Sequence, residues 1–479
     1  MNDKKTINIF IAGGSGFWAE CNHYPSITQL KKEGIPLRVV AICDIRNPYV
    51  EKSRPILTQI LFKDKPIWIN PYGLDENKLE RELDKLQHKY NIDIAIVSTN
   101  PIYHFYYANW STKYGISVLC DKPLVTTKNA SFSLKQSLQI QDKYEILKEN
   151  AIQAKKRNPK YLFCSPLRRR ALTPFVKIAS ELENIYKKTH EGIRYMNVIV
   201  NGGVHKYPQE FLKGGAHGYL DGIGSLAHSS YHYIDVIAWY LGIARGQTAK
   251  IEVHLPYVFR VEDYLKIKGY KKLREIIESN EVNFDDNLKI SDAVLNSELD
   301  FTFHLELFDN NNSLLGLISY TANHTTFTPR LTKFESEMVE YTNDKLGGRM
   351  SQVYIDIHQG ALQNIQLVKN DVVFFGNNIN IKNRKHPKTG TALETISYED
   401  AYDKDTITPQ DLFISFIKHT AGYSISEEHL RLLSTFDNQN LTNRIYSKFY
   451  EKLAEEFELR NSTISKSNVD STIILDKYL

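Results

Sequence analysis

The sequence predicts two domains: an N-terminal α/β domain on a doubly wound parallel sheet, then a C-terminal α+β domain with a large, mostly antiparallel, open-faced sheet. Short, continuously apolar runs alternate with helix-length segments in the first third of the chain, and a glycine cluster closes the first of them. From about residue 190 the texture changes to longer strand-like runs. Continuous apolarity marks strands buried on both faces, as in a parallel sheet covered by crossover helices, whereas a series of long strands marks an antiparallel or mixed sheet.

The first run, TINIFIA at 6–12, stops at the glycines, and the second, LRVVAICD, spans 37–44. IDIAIVST at 92–99 and ISVLC at 116–120 flank a helix-length segment, HFYYANWSTKYG. After Pro123, residues 128–157 are polar and lysine-rich with Leu134, Leu138, Tyr144 and Leu147 at helical spacing, and YLFCS at 161–165 is expected to complete the first sheet. IRYMNVIVN, AKIEVHL, ELDFTFHLELF and LLGLISYTA supply the second sheet. The charged stretch 260–297 reads as an insertion, 376–406 as a surface excursion rich in Asn, Lys, Asp and Thr, and 425–458 as helical from Ser426 onward. The expected organisation is a nucleotide-binding domain over 1–165, a substrate-binding and oligomerisation domain over 166–460, and a loosely held tail over 461–479.

With 479 residues, 42% of them hydrophobic, the chain can bury a large core. A net charge of +4, from 60 basic and 56 acidic residues, argues against nucleic acid or an anionic membrane as partner and for a small-molecule substrate. The opening MNDKKTINIF lacks a signal core, and no stretch approaches the roughly 18 apolar residues of a membrane span. Cys21, Cys43, Cys120 and Cys164 have no C-x-x-C spacing, so the expected location is the reducing cytoplasm, with no zinc site.

Gly14, Gly16 and Ala19 form G-x-G-x-x-A directly after the first strand, with Ser15, Phe17 and Trp18 filling the loop. Such glycines permit a tight turn and close approach of a pyrophosphate to the N–H groups of the next helix. Asp44, ending the second strand, can accept from ribose hydroxyls and favours NAD; Arg46 can instead pair with a 2′-phosphate, which keeps NADP open. This is the pattern of a Rossmann domain. Ser98, Thr99 and Asn100, followed by His104, close the third strand, and Asp121 and Lys122 close the fourth. Both sets fall where open α/β sheets bind ligands, and Lys122 is suited to hold a substrate hydroxyl and stabilise a developing alkoxide.

In their order and spacing, GSGFWA, STNPIYH and CDKP resemble the Gfo/Idh/MocA family, named after glucose-fructose oxidoreductase and inositol dehydrogenase. The resemblance covers residues 6–127; Asp121 stands where the family usually has Glu. A second family signature is matched by HSSYHYIDVIAWYLG at 228–242, where helical spacing puts His228, His232, Asp235 and Trp239 on one face. The resemblance implies that His232 is the general acid/base beside Lys122. His228 replaces the family's Asp, and Asp221 is a possible substitute for that carboxylate. A metal pair at His228 and His232, or two structural histidines, are the alternatives to substrate chemistry; the resemblance implies no metal. Arg168, heading the run Arg168-Arg169-Arg170, suits either an anionic substrate group or a solvated junction.

The resemblance implies hydride transfer between NAD or NADP and a hydroxyl-bearing carbon of a sugar, cyclitol or related metabolite. Catalytic roles fall to Lys122, His232 and His228, and substrate contacts to these with Arg168, Asp221 and Asp235. An imine substrate, a redox-assisted glycosidase and a catalytically silent NAD(P)-sensing regulator are the alternatives. A broad apolar face on the second sheet is expected to drive assembly into a homodimer or homotetramer.

Overall fold

The computed structural model describes residues 5–16, 18–50, 54–202, 218–267, 290–326, 352–369, 379–398, 407–461 and 472–474. They form two compact units that no single cut in the sequence separates. The first contains Met1–Thr126, Asp142–Ala171 and Ile407–Gln439; the second contains Thr127–Gln141, Leu172–Thr406 and Asn440–Leu479.

The first unit is built on a six-stranded parallel sheet in the order β3-β2-β1-β4-β5-β6. Its strands are β1 (Ile7–Ala12), β2 (Leu37–Cys43), β3 (Ile67–Ile69), β4 (Ile94–Val97), β5 (Ser117–Cys120) and β6 (Phe163–Cys164). Ile9, Phe10, Ile11, Val39, Ile94, Ile96 and Val118 have no exposed surface, as strands covered on both faces require. The intervening helices are α1 (Tyr24–Lys32), α2 (Pro55–Asp64), α3 (Glu76–Tyr90) and α4 (His104–Lys113). Asp75 caps α3 by accepting from the Lys78 N–H at 2.8 Å, and Trp110 of α4 meets Phe10 edge-on at 5.6 Å. The order reverses between β1 and β4, and the loops that follow these strands carry the nucleotide motifs.

Residues 425–458 are not one helix. Ser426 does cap a helix, accepting from the His429 N–H at 3.1 Å, but that helix ends at Leu432. The chain then runs along the sheet edge: Ser165 N–H donates to Ser434 O at 2.9 Å and Phe436 N–H to Phe163 O at 2.7 Å. Backbone pairing with β6 therefore outcompetes helix continuation. Phe436 is sandwiched between Tyr144 and Phe163, each ring 4.8 Å away, and a second helix, Asn440–Asn461, begins only beyond it.

The second unit is built on a nine-stranded sheet in the order β14-β13-β12-β11-β7-β10-β9-β8-β15. These are β7 (Tyr195–Asn201), β8 (Lys250–Arg260), β9 (Glu298–Phe308), β10 (Leu314–Asn323), β11 (Gln352–Gln359), β12 (Gln363–Lys369), β13 (Ile379–Lys385), β14 (Leu393–Tyr398) and β15 (Thr472–Ile474). Neighbours are antiparallel except β7 and β10. Alternate residues such as Val198, Phe303, Ile318 and Ile355 form the buried face, against which Phe449 of helix Asn440–Asn461 stacks on Phe303 at 3.7 Å. The opposite face is half-exposed and largely polar, carrying Asn197, His304, Glu306, Ser319, Thr321, Asp356 and His358. Tyr195, Ile199, Leu317 and Tyr354 stand among them, so this face is mixed rather than broadly apolar.

One further expectation is corrected. Within 376–406 the described residues include β13 and β14, because INIKNRK alternates and buries Ile379, Ile381 and Asn383 while Lys382 and Arg384 face solvent. Within the tail, residues 472–474 pair with β8. Of 260–297, residues 268–289 lie outside the described set; the rest contributes Val261, Tyr264 and Val294 to a small apolar cluster with Tyr219 and Leu299.

Phe436→Ala is expected to destabilise the first unit by about 3–5 kcal/mol, the usual cost of removing a buried phenylalanine. Urea unfolding followed by tryptophan fluorescence checks this, and a loss below about 1 kcal/mol contradicts the anchoring role of the returning segment.

Candidate functional site

The loop after β1 is shaped by close backbone approach. Gly13 has φ +83°, and a Cβ there would lie 2.2 Å from the Ser98 carbonyl oxygen, so no other residue fits. It is a turn glycine that the G-x-G reading passed over. A Cβ on Gly14 would meet Ile42 and the Tyr24 hydroxyl at 2.8 Å; one on Gly16 would stand 3.1 Å from Gly13 O and 3.6 Å from the Arg46 guanidinium. The helix that follows opens with a π turn, Ala19–His23, before α1. Pro25 explains it: with no N–H to bond four residues back, the ladder slips, and Tyr24 N–H reaches Ala19 O. Phe17 lies outside the described residues.

Asp44 is 7% exposed, and its two carboxylate oxygens accept from Ser15 N–H and Arg46 N–H, each at 2.9 Å. Two backbone donors thus fix the carboxylate and leave lone pairs for ribose hydroxyls. The half-exposed Arg46 side chain lies 3.8 Å from the same carboxylate. A bare glycine cradle at the point where strand order reverses, with a pinned carboxylate at the end of β2, fits a dinucleotide.

At the carboxyl ends of β4 and β5 the structure brings Ser98, Asp121 and Trp18 together. Ser98 Oγ donates to Asp121 Oδ2 at 2.5 Å, and the Trp18 indole donates to the same carboxylate. Burial pushes the Asp121 carboxyl up to about 6, against the opposing pull of Ser98, Lys122 and Trp18. Asn100 caps the turn Pro101–Tyr103 by accepting from Ile102 N–H, and Thr99 Oγ1 donates to Asn100 O. His104 is 1% exposed, with Nδ1 2.7 Å from Pro123 O and Nε2 3.1 Å from Thr99 O, so it braces the two loops against each other. Carbonyl neighbours favour its charged form, but burial wins and holds the ring near 4.

Arg170 is buried and donates to Asn438 O at 3.2 Å, an internal anchor of the first unit; Arg168 and Arg169 are half-buried in the same turn, Arg168–Ala171.

In the second unit, the helix Tyr231–Ile243 is preceded by a second π turn, Leu226–Ser230, which carries His228. Buried Glu298 holds its start: one carboxylate oxygen accepts from Gly224 N–H and Leu226 N–H, each at 3.0 Å, and the other from the Ser131 hydroxyl. His228 and His232 are half-buried. Asp235, three residues after His232 on the same helix, is fully buried and accepts from Thr442 Oγ1 at 2.9 Å. Asp221 sits in a tight turn between Gly218 and Gly222, both at positive φ, and Asn129 N–H donates to its carbonyl at 2.7 Å. His324, which sequence reasoning missed, is 1% exposed with Nε2 2.8 Å from Ser229 Oγ, beside His228 in the π turn. Its main-chain N–H and that of Thr325 donate to buried Asp300 at 2.6 and 3.1 Å. A lone histidine after a strand gives no spacing signal. A cleft of about 510 Å³ lined by Tyr257, Phe259, Ile267 and Arg460 includes none of these residues.

The parallel sheet, glycine cradle and pinned Asp44 define a dinucleotide-binding fold joined to a second unit with a large sheet. Residues 7–146 match the model of the oxidoreductase family with an NAD-binding Rossmann fold, Gfo/Idh/MocA. No curated protein matches the sequence. Among solved structures, the fold is similar to that of aldose-aldose oxidoreductase from Caulobacter crescentus complexed with glycerol. That pair has a TM-score of 0.51 at 12% identity, over 98% of this chain and 100% of that one. It is also similar to the WlbA dehydrogenase of Bordetella pertussis in complex with NADH and UDP-GlcNAcA (0.51, 12%, 94% and 98%). The transcriptional regulator Gal80p of Kluyveromyces lactis shares the fold as well (0.53, 15%, 95% and 94%). Among the described residues, no helix is long and apolar enough to cross a membrane.

Glu298→Ala is expected to raise amide hydrogen exchange at Gly224 and Leu226 about tenfold or more, since each loses a buried acceptor. Unchanged exchange there would separate Glu298 from the helix start. A second expectation concerns pH. His23 and His104 are held near 3 and 4 by burial, below the ordinary 6.5, so between these limits the unfolded chain binds more protons than the folded one. Stability is fully present above 6.5 and falls as pH drops, by up to about 1.4 kcal/mol per pH unit for each histidine. Urea midpoints at pH 7, 6 and 5 that do not decline contradict it.

Proposed function

We propose that this protein is an NAD-dependent oxidoreductase that transfers hydride between the nicotinamide and a hydroxyl-bearing carbon of a sugar, cyclitol or related metabolite. The carrying observation is the set of groups at the strand ends of the first unit: a glycine cradle, Asp44, and Lys122 beside a pinned Asp121. The bound cofactor would supply the hydride acceptor. Gly13, Gly14, Ser15 and Gly16 would cradle its pyrophosphate, and Asp44 would take the ribose hydroxyls. Lys122 would hold the substrate hydroxyl and stabilise the alkoxide, with His232 receiving the proton. A polyhydroxylated substrate agrees with the glycerol and UDP-GlcNAcA complexes of the two similar enzymes. Cys21, Cys43, Cys120 and Cys164 are free thiols, which suits a reducing cytoplasm. Self-association would use the half-exposed face of the nine-stranded sheet, and light scattering at micromolar concentration checks it; a monomer excludes it.

NADH is expected to bind more tightly than NADPH, because the Asp44 carboxylate opposes a 2′-phosphate. Fluorescence titration checks the order, and Asp44→Ala is expected to weaken NADH about tenfold or more. With NAD and a panel of polyols, Lys122→Ala and His232→Ala are each expected to lower kcat by roughly 10²–10⁴ while cofactor affinity changes little. Wild-type turnover in either variant removes that residue from the mechanism. Cofactor binding without turnover on any polyol supports a regulator.

A further inference from the structure

The chemistry above makes no use of His23. It lies in the π turn after the glycine loop, 2% exposed, with its ring stacked on Phe413 at 5.1 Å. Nε2 is 3.3 Å from Ser98 Oγ, whereas Nδ1 is buried and has no hydrogen-bond partner among the described residues. Ser98 in turn lies 2.5 Å from Asp121.

These contacts decide where the protons are. An ionised carboxylate only accepts, and a serine hydroxyl has one proton, so Ser98 gives that proton to Asp121 and must accept at its other contact. The donor is then His23 Nε2–H. A neutral imidazole has one N–H, so Nδ1 is bare, and it is Nδ1 that lacks a partner. Full burial holds His23 near 3, so the ring stays neutral.

We propose that His23 and Ser98 form a one-way donor chain that fixes the Asp121 carboxylate beside Lys122, making them positioning residues for that lysine. The role of Lys122 rests on the hydride-transfer reading above; the chain itself does not. The titratable groups around Asp121 are Lys122 and the Cys120 thiol from its own strand end, and His23 behind Ser98. The Trp18 indole is a further donor, and His104 of α4 senses Lys122. Of these only Lys122 is charged at neutral pH. Each donor on the carboxylate favours its ionised form, so breaking the chain must raise the pH at which Asp121 takes up a proton.

The full-length protein without substrate provides the test. Trp18 donates to Asp121, so the difference in fluorescence between wild type and Trp18→Phe should titrate near pH 6, and Asp121→Asn should abolish that transition. Ser98→Ala and His23→Phe, the latter keeping an aromatic ring against Phe413, are each expected to move the midpoint up by about one pH unit, a tenfold change in proton affinity. His23→Gln, whose amide can donate from near the Nε2 position, is expected to return it toward wild type. A midpoint unmoved in His23→Phe, or a transition that survives Asp121→Asn, overturns the proposal. Imidazole ¹⁵N spectra of the wild-type protein, with the His23 signal identified by its loss in His23→Phe, bear on the same point: a proton on Nδ1 overturns it even if the Ser98 variant misfolds. Midpoint shifts in a protein that oxidises no polyol would leave the chain standing and reject the hydride reading.

Discussion

The backbone of Gly13 lies against the carbonyl of Ser98 more closely than any side chain would permit, and the nucleotide side of the first unit depends on that contact. It draws the loop after β1 onto the end of β4. Ser98 is thereby placed between the glycine loop and the end of β5, where it meets Asp121, while the loop's own Ser15 reaches the Asp44 carboxylate at the end of β2. Adding a methyl group at residue 13 would push these strand ends apart together.

Both units use the same device to keep carboxylates buried. Asp121, Glu298 and Asp300 are each raised by burial, and each is surrounded by donors that pull the other way: Ser98 and Trp18, the Gly224 and Leu226 N–H groups with Ser131, and the His324 and Thr325 N–H groups. An unpaired charge in such places would cost several kcal/mol. Backbone, hydroxyl and indole donors offset that cost, with Lys122 and Arg260 adding positive charge at Asp121 and Glu298, and the donors fix direction as well as charge. The result is a set of loops held from within, with Gly224 so tightly placed that a Cβ would fall 2.0 Å from the Glu298 carbonyl oxygen.

The parallel sheet was legible because its strands are apolar on both faces, and β1, β2, β4 and β5 fall where the runs of Ile, Val and Ala place them. The nucleotide loop was legible as a motif, though not in detail, since nothing in the string GGSG distinguishes the glycine with positive φ. Strands β13 and β14 were hidden by composition: Asn and Lys in INIKNRK look like a loop until one counts by twos. The return of 407–439 to the first unit was hidden for another reason. Its helical spacing is real, but the helix is interrupted by pairing with β6, a partner more than 250 residues away that local pattern cannot see. Likewise Glu298 and His324 act on the helix of His228 and His232 from distant strands, and carry no local signature.

One departure from regular helix geometry recurs in both units and bears on His228 and His23. Face assignments from sequence assume 3.6 residues per turn, but both candidate sites contain a π turn, Ala19–His23 in one unit and Leu226–Ser230 in the other. A π turn holds an extra residue, so side chains on either side of it are rotated relative to an unbroken helix. The slip at 226–230 changes where His228 stands relative to His232, whereas Asp235, beyond it on the same regular helix as His232, is held by Thr442; within the turn Ser229 meets His324. In the first unit, Pro25 forces the slip and His23, the last residue of the widened turn, comes within reach of Ser98. The same departure from regular geometry that defeats periodic reading is what brings a histidine next to a hydroxyl in each unit.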